Sequence, residues 1–308
     1  MSMKSLSAGC NSPGISGRLR FAAFAAAALA ISAAGCGRSN AKEPAPAYVL
    51  TDAQRGVVAV ATSTDDGTDH VTLCSGALVA PNLVLTARHC VSRALTATPS
   101  CDADGRSHNG VHLSADVDPS RISIYVGSVV RPETDAPVAR AERTLHPKSQ
   151  VLCDADVAFL VLDRPIDAKI LPMRLHGHVE PGDRVVPVGF GGGPANIVGL
   201  KVARNDSTVL TIGPAANART GAVLGPREFE VDQATCRGDS GGPAIDASTG
   251  EVVGVVSRGG SCSASGNHVY TRVDSYARLA AHAFVTAGRV AAQNLARRDV
   301  EEDRERER

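Results

Sequence analysis

Tryptophan is absent from this chain of 308 residues, and aromatic side chains together make up only 3% of it. Val, Ala and Gly are abundant instead, in short Val-rich segments separated by Gly, Pro, Asn and Asp, the pattern of many short strands. Sustained 3.6-residue periodicity is missing until the C-terminus, which argues against a helix-rich core. An excess of either charge is missing as well, since 32 Lys and Arg balance 32 Asp and Glu. With no basic cluster in the body, nucleic acid is not an expected partner. No C-x-x-C occurs, and the one close His/Cys pair is His89-Cys90, so neither a zinc site nor any other cofactor is expected. At 43% apolar and 21% charged, the chain can fill one large or two small cores.

A long apolar run is also lacking. The run at 21–31 is too short for a comfortable membrane span, and Lys4, Arg18 and Arg20 precede it. That order of charge and then apolar residues reads as an export signal over residues 1–35. It ends in Ala33-Ala34-Gly35-Cys36, which resembles a bacterial lipoprotein cleavage site with Cys36 as the residue to be lipidated; Ala33 stands where Leu is usual. Gly37, in place of Asp, fits such a resemblance to transfer to an outer membrane. Residues 36–50, with Pro44 and Pro46, read as a tether. The expected location is the outer membrane or cell surface through this anchor, or the periplasm or medium without it.

Cys10 lies in the signal. The remaining six cysteines, Cys74, Cys90, Cys101, Cys153, Cys236 and Cys262, form an even set in an exported chain and imply disulfides, with 15 pairings open.

The chain is organised around Cys236-Arg237-Gly238-Asp239-Ser240-Gly241-Gly242-Pro243. Glycines around a serine allow a backbone and a close approach that other residues forbid. A serine hydroxyl is a weak nucleophile near neutral pH, so it needs a base and a site for the developing oxyanion. The segment also fits the G-x-S-x-G elbow, which is followed by a helix and has its acid and histidine downstream. Here Pro243, a Ser-Thr-Gly turn at 248–250 and a Val-rich run follow, which is strand, turn, strand. The partners should therefore lie upstream in the order His, Asp, Ser. Residues 56–62 read as a first strand, with a turn at 65–67. Two apolar strands then flank Pro81-Asn82, and His89 stands where the second ends, beside Cys90. Asp156 opens the apolar run Val157-Ala158-Phe159-Leu160-Val161-Leu162, with Asp154 as the runner-up acid.

These segments resemble the trypsin/chymotrypsin-like serine proteases, over about residues 51–285. The resemblance rests on Cys74-Ser75-Gly76, Thr86-Ala87-Arg88-His89-Cys90, Asp156 to Leu162, Gly238 to Pro243, Ser257-Arg258-Gly259 and Val269-Tyr270-Thr271-Arg272-Val273. It implies an all-β fold of two six-stranded antiparallel β-barrels with a C-terminal helix, and a monomer acting on proteins or peptides. It assigns His89, Asp156 and Ser240 as catalytic residues and the N–H groups of Gly238 and Ser240 as the oxyanion site. It pairs Cys74 with Cys90 and Cys236 with Cys262, which leaves Cys101 for Cys153. Its primary pocket falls on Ala234, Thr235, Ser257, Arg258, Gly259 and His268. With no carboxylate at 234, Arg and Lys side chains are disfavoured, and either small uncharged or acidic ones are expected.

Two departures stand out. Arg88 replaces the usual Ala. The family's zymogens are cleaved to free an Ile-Val-Gly-Gly amine that pairs with the aspartate before the nucleophile, here Asp239, yet no such sequence lies between 37 and 60. Asp239 must find another partner or leave its loop unformed, and an inactive protein-binding homologue is the competing reading. The Ala-rich run from Asp274 to about Asn294 is expected to be a helix on the second barrel, with Leu279, Phe284 and Val285 on helical spacing. The segment 286–308 reads as its end and a charged, disordered tail.

Overall fold

A computed structural model of the chain describes residues 52–63, 71–96, 98–193, 197–204, 207–233, 235–259, 262 and 266–306. The export signal, Cys36, the tether, the turn at 65–67 and Ala234 lie outside these residues.

After a single helical turn, α1 (Asp52–Arg55), the chain enters β1 (Val57–Ser63), buried at every position but the last. Its Val-Val-Ala-Val-Ala run is the composition of a strand covered on both faces. β2 (Val71–Ala80) and β3 (Leu83–Thr86) are joined by the Pro81-Asn82 turn. β4 (Ser92–Ala94) and β5 (Leu113–Asp116) form a separate ribbon at the base of an insertion. β6 (Ile122–Tyr125), β7 (Ala139–Leu145) and β8 (Ala158–Leu162) complete the first barrel, closed in the order β1-β2-β3-β8-β7-β6.

The second barrel begins with β9 (Arg184–Gly189), to which β10 (Val202–Ala203) adds a short extension. β11 (Ser207–Ile212) follows, then a small ribbon of β12 (Ala215–Ala216) and β13 (Val223–Leu224). β14 (Glu228–Val231), β15 (Pro243–Asp246), β16 (Val252–Gly259) and β17 (His268–Arg272) finish the sheet. Pairing of β9 with β15 closes a ring of six, β9-β11-β14-β17-β16-β15. Phe229 and Tyr270 stack at 5.2 Å between centroids inside it.

Helix α2 (Ala277–Arg306) differs from expectation in place and length. It lies against β8 and β3 of the first barrel rather than on the second. Ala280, Ala283, Ala287 and Val290 enter the core, whereas Phe284 and Val285 face outward. Alanines let the helix axis approach the strands closely, and the Asn82 amide, donating to Ala287 O at 2.9 Å, fixes the contact. The segment from Glu301 continues the helix to Arg306, in keeping with the high helix propensity of Glu and Arg. Among the described residues no helix is long and apolar enough to cross a membrane.

Among the described residues three disulfides form, Cys74–Cys90, Cys101–Cys153 and Cys236–Cys262. Between the barrels, the segment carrying Ser240 presses directly on β2 and β3. A Cβ on Gly241 would lie 2.5 Å from Ser75 O and 2.9 Å from Ala87 N, so no larger residue fits this seam.

Candidate active site

His89 lies in a single 3-10 turn, Arg88–Cys90, entered directly from β3, and the Cys74–Cys90 bond ties that turn back to β2. Its neighbour Arg88 is buried. One guanidinium nitrogen donates to Pro147 O and Ser149 O, and the other reaches Asp116 at 3.3 Å. An alanine at this position could not gather the 147–149 loop, so the departure at Arg88 has a structural use.

Asp156 is fully buried between Cys153 and the start of β8. Its Oδ1 accepts the backbone N–H of His89 at 3.0 Å, and its Oδ2 lies 2.8 Å from His89 Nδ1. The Ser257 hydroxyl donates to the same Oδ2 at 2.7 Å. Burial opposes charge on both partners. The attraction and hydrogen bonding between them outweigh it, raising His89 above its ordinary 6.5 and holding Asp156 below the usual carboxylate range. Asp154 is not part of this arrangement. Its backbone turns to φ 61°, and its carboxylate accepts Arg227 N–H at 2.9 Å.

Ser240 occupies the tight turn 236–242 of the second barrel, and Ser75 N–H donates to its carbonyl at 2.7 Å. Ser240 and His89 line two cavities, one on each side of them, of about 400 and about 590 Å³. No hydrogen bond joins the two side chains among the described residues; such bonds are often long in unliganded sites and tighten with substrate. Nor does either the Gly238 or the Ser240 amide donate to another described residue. The cluster Cys74, His89, Cys90 offers metal-type ligand atoms, but its two sulfurs are consumed in a disulfide.

The Trypsin family matches residues 49–280. The chain belongs to the trypsin family. Membership supports a serine protease in its general class, a family that suggests proteins or peptides as substrates. The cercarial protease of Schistosoma mansoni is 27% identical over 200 residues, 61% of this chain and 71% of that one. Two solved structures share the trypsin-like fold. The scabies mite inactivated protease paralogue S-I1 is 21% identical with a TM-score of 0.54, covering 77% of this chain and 97% of its own. The structure of GrC is 19% identical with a TM-score of 0.52, covering 76% and 96%.

Within this trypsin-family site, the predicted pocket residues have unequal roles. Ser257, Arg258 and Gly259 line the larger cavity, but the Ser257 hydroxyl is committed to Asp156. Arg258 forms a two-armed ion pair with fully buried Glu228, at 2.5 and 2.7 Å. His268 is fully buried and meets the Thr235 hydroxyl through Nδ1 at 3.0 Å, behind the cavity rather than on its wall. Sequence reasoning missed Glu228, Ser75 and Arg204. Only Arg204 had a signal, the need of Asp239 for a cation that no new amine supplies.

Proposed function

We propose that this trypsin-family chain is a serine endopeptidase working through an acyl-enzyme. His89 Nε2 takes the proton from Ser240 Oγ as that oxygen attacks a peptide carbonyl carbon. Asp156 keeps the other proton on Nδ1 and stabilises the imidazolium that forms. The amides of Gly238 and Ser240 receive the negative charge on the carbonyl oxygen, each such donor being worth about 10²–10³ in rate. His89 then protonates the leaving amine, and water releases the acyl group by the same route. The observation that carries this reading is the 2.8 Å carboxylate–imidazole pair, with Asp156 fully buried and His89 lining the same two cavities as Ser240.

Small uncharged side chains are the preferred substrates. Residue 234 is Ala, which provides no carboxylate for Arg or Lys. The acidic alternative loses its principal support, because the Arg258 charge is already neutralised by Glu228. The test is labelling by a fluorophosphonate probe with the modified residue located by mass spectrometry, Ser240→Ala serving as control, followed by a peptide-library profile. Labelling at Ser240 is expected. Its complete absence would sink the enzyme reading in favour of a binding protein on a protease fold.

A further inference from the structure

Asp239, immediately before Ser240, is 1% exposed. A carboxylate survives in such a place only if charge and hydrogen bonds replace the water it has lost. Three donors do so here. Gly191 N–H reaches Oδ1 at 2.8 Å, and Cys236 N–H and Arg204 Nη2 reach Oδ2 at 2.7 and 2.6 Å. Space for the carboxylate comes from Gly191, where a Cβ would stand 2.6 Å from Asp239 Cγ.

We propose that Arg204 is the built-in cation that orders the loop carrying Ser240, so that the protease acquires its active conformation on folding and without cleavage of the chain. The inference rests on the serine-protease reading above and extends it to how the site is switched on. Arg204 is held independently of the loop it organises. Its N–H donates to Pro187 O of β9 at 2.9 Å, and its carbonyl accepts from the Ser207 hydroxyl of β11 at 3.1 Å. The cation is therefore anchored to the barrel wall, and the loop folds around it. Asp239 in turn organises the nucleophile turn, donating its N–H to Cys236 O at 3.0 Å and accepting Gly242 N–H at 2.9 Å. The amides of Gly238 and Ser240 lie inside this turn. Remove the guanidinium and a buried carboxylate is left without a countercharge. The turn is then driven to carry Asp239 toward water, and both amides lose their aim.

The contact is made by one arm. Nη2 carries it, and Nη1 has no partner among the described residues. Arg204 thus serves as a point charge at close range, a role a lysine ammonium can take over.

The experiment compares fluorophosphonate acylation of the purified protein and its Arg204→Ala, Arg204→Gln and Arg204→Lys variants, with intact mass reporting any cleavage and circular dichroism reporting the fold. The unmodified protein should be labelled at Ser240 as an uncut chain. Arg204→Ala and Arg204→Gln should be acylated about 100-fold more slowly or worse, the size of one lost oxyanion donor. Arg204→Lys should recover much of the rate, and millimolar guanidinium should accelerate the Ala variant but not the unmodified protein. Equal rates for the Gln and Lys variants would overturn the proposal, and that pair decides the matter even if the Ala variant fails to fold. Labelling of the unmodified protein only after cleavage would also overturn it while leaving the protease reading standing. A protein never labelled, cut or uncut, would mark failure of the protease reading itself.

Discussion

Replacing Glu228 with leucine should cost most of the stability of the second barrel. The Glu228 carboxylate accepts four hydrogen bonds: two from Arg258, one from Asp154 N–H at 3.0 Å and one from Gly225 N–H at 2.9 Å. Leucine leaves a cation whose side chain is only 15% exposed without its partner, a loss of about 3–5 kcal/mol for buried pairs. Two backbone N–H groups are orphaned besides, at about 1–3 kcal/mol each. These terms are not additive, but a loss on the order of 5 kcal/mol is comparable with the whole stability of a domain, about 5–15 kcal/mol. The assay is urea denaturation followed by circular dichroism with the disulfides intact, since there is no tryptophan to report by fluorescence. The double variant Glu228→Leu/Arg258→Met should recover a large part of the loss, because it removes the stranded charge and leaves only the orphaned amides. A single variant within about 1 kcal/mol of the parent would refute the reasoning, as would a double variant no more stable than the single one.

On the proposed mechanism His89 must be neutral to accept the proton of Ser240. Burial pulls its pKa down and Asp156 more than reverses this, so the acylation rate should rise with pH through a midpoint above 6.5; Asp156→Asn leaves burial unopposed and should move the midpoint below 6.5 while lowering the plateau about 10⁴-fold, as in comparable triads. Lys201 is 1% exposed, with its ammonium donating to Gln54 O and Val57 O, and burial depresses its pKa from 10.5 to about 8. Between those values the unfolded chain holds a proton that the folded chain has lost, so stability should rise with pH by about 3 kcal/mol across the window. Urea curves at pH 7, 9 and 10 check this, and a difference between the parent and Lys201→Met that stays constant with pH would count against it.

How much could be read from the chain in advance follows from how local each feature is. His89, Asp156 and Ser240 sit in three contiguous motifs whose order sets them apart from an elbow-type hydrolase, and the barrels follow from short strands separated by turn residues. Ser257 belonged to a recognisable motif, yet its bond to Asp156 spans 101 residues, and no local pattern announces where a hydroxyl will point. Arg204 and Asp239 are 35 residues apart and meet only because β9, β10 and the nucleophile turn converge. Helix α2 packs on the first barrel because close approach favours Ala280, Ala283 and Ala287, while Phe284 and Val285, which helical spacing singles out in the sequence, face outward. The specificity pocket was least legible. The residue numbers of Arg258 and His268 reveal nothing of Glu228 and Thr235, which neutralise or tether them.

Ser75 sits at the joint between the two closed sheets. From β2 it donates its N–H to Ser240 O and its hydroxyl to Gly238 O at 2.7 Å, while accepting Phe190 N–H from the second barrel at 2.9 Å. His89 and Asp156 arrive from one sheet and Ser240 from the other, so the hydrolysis proposed for them would be a coincidence signal rather than a property of either half. On the proposed mechanism, a chain with only one barrel closed holds no complete His89, Asp156 and Ser240 set, so loss of the joint is expected to abolish hydrolysis and not merely to slow it.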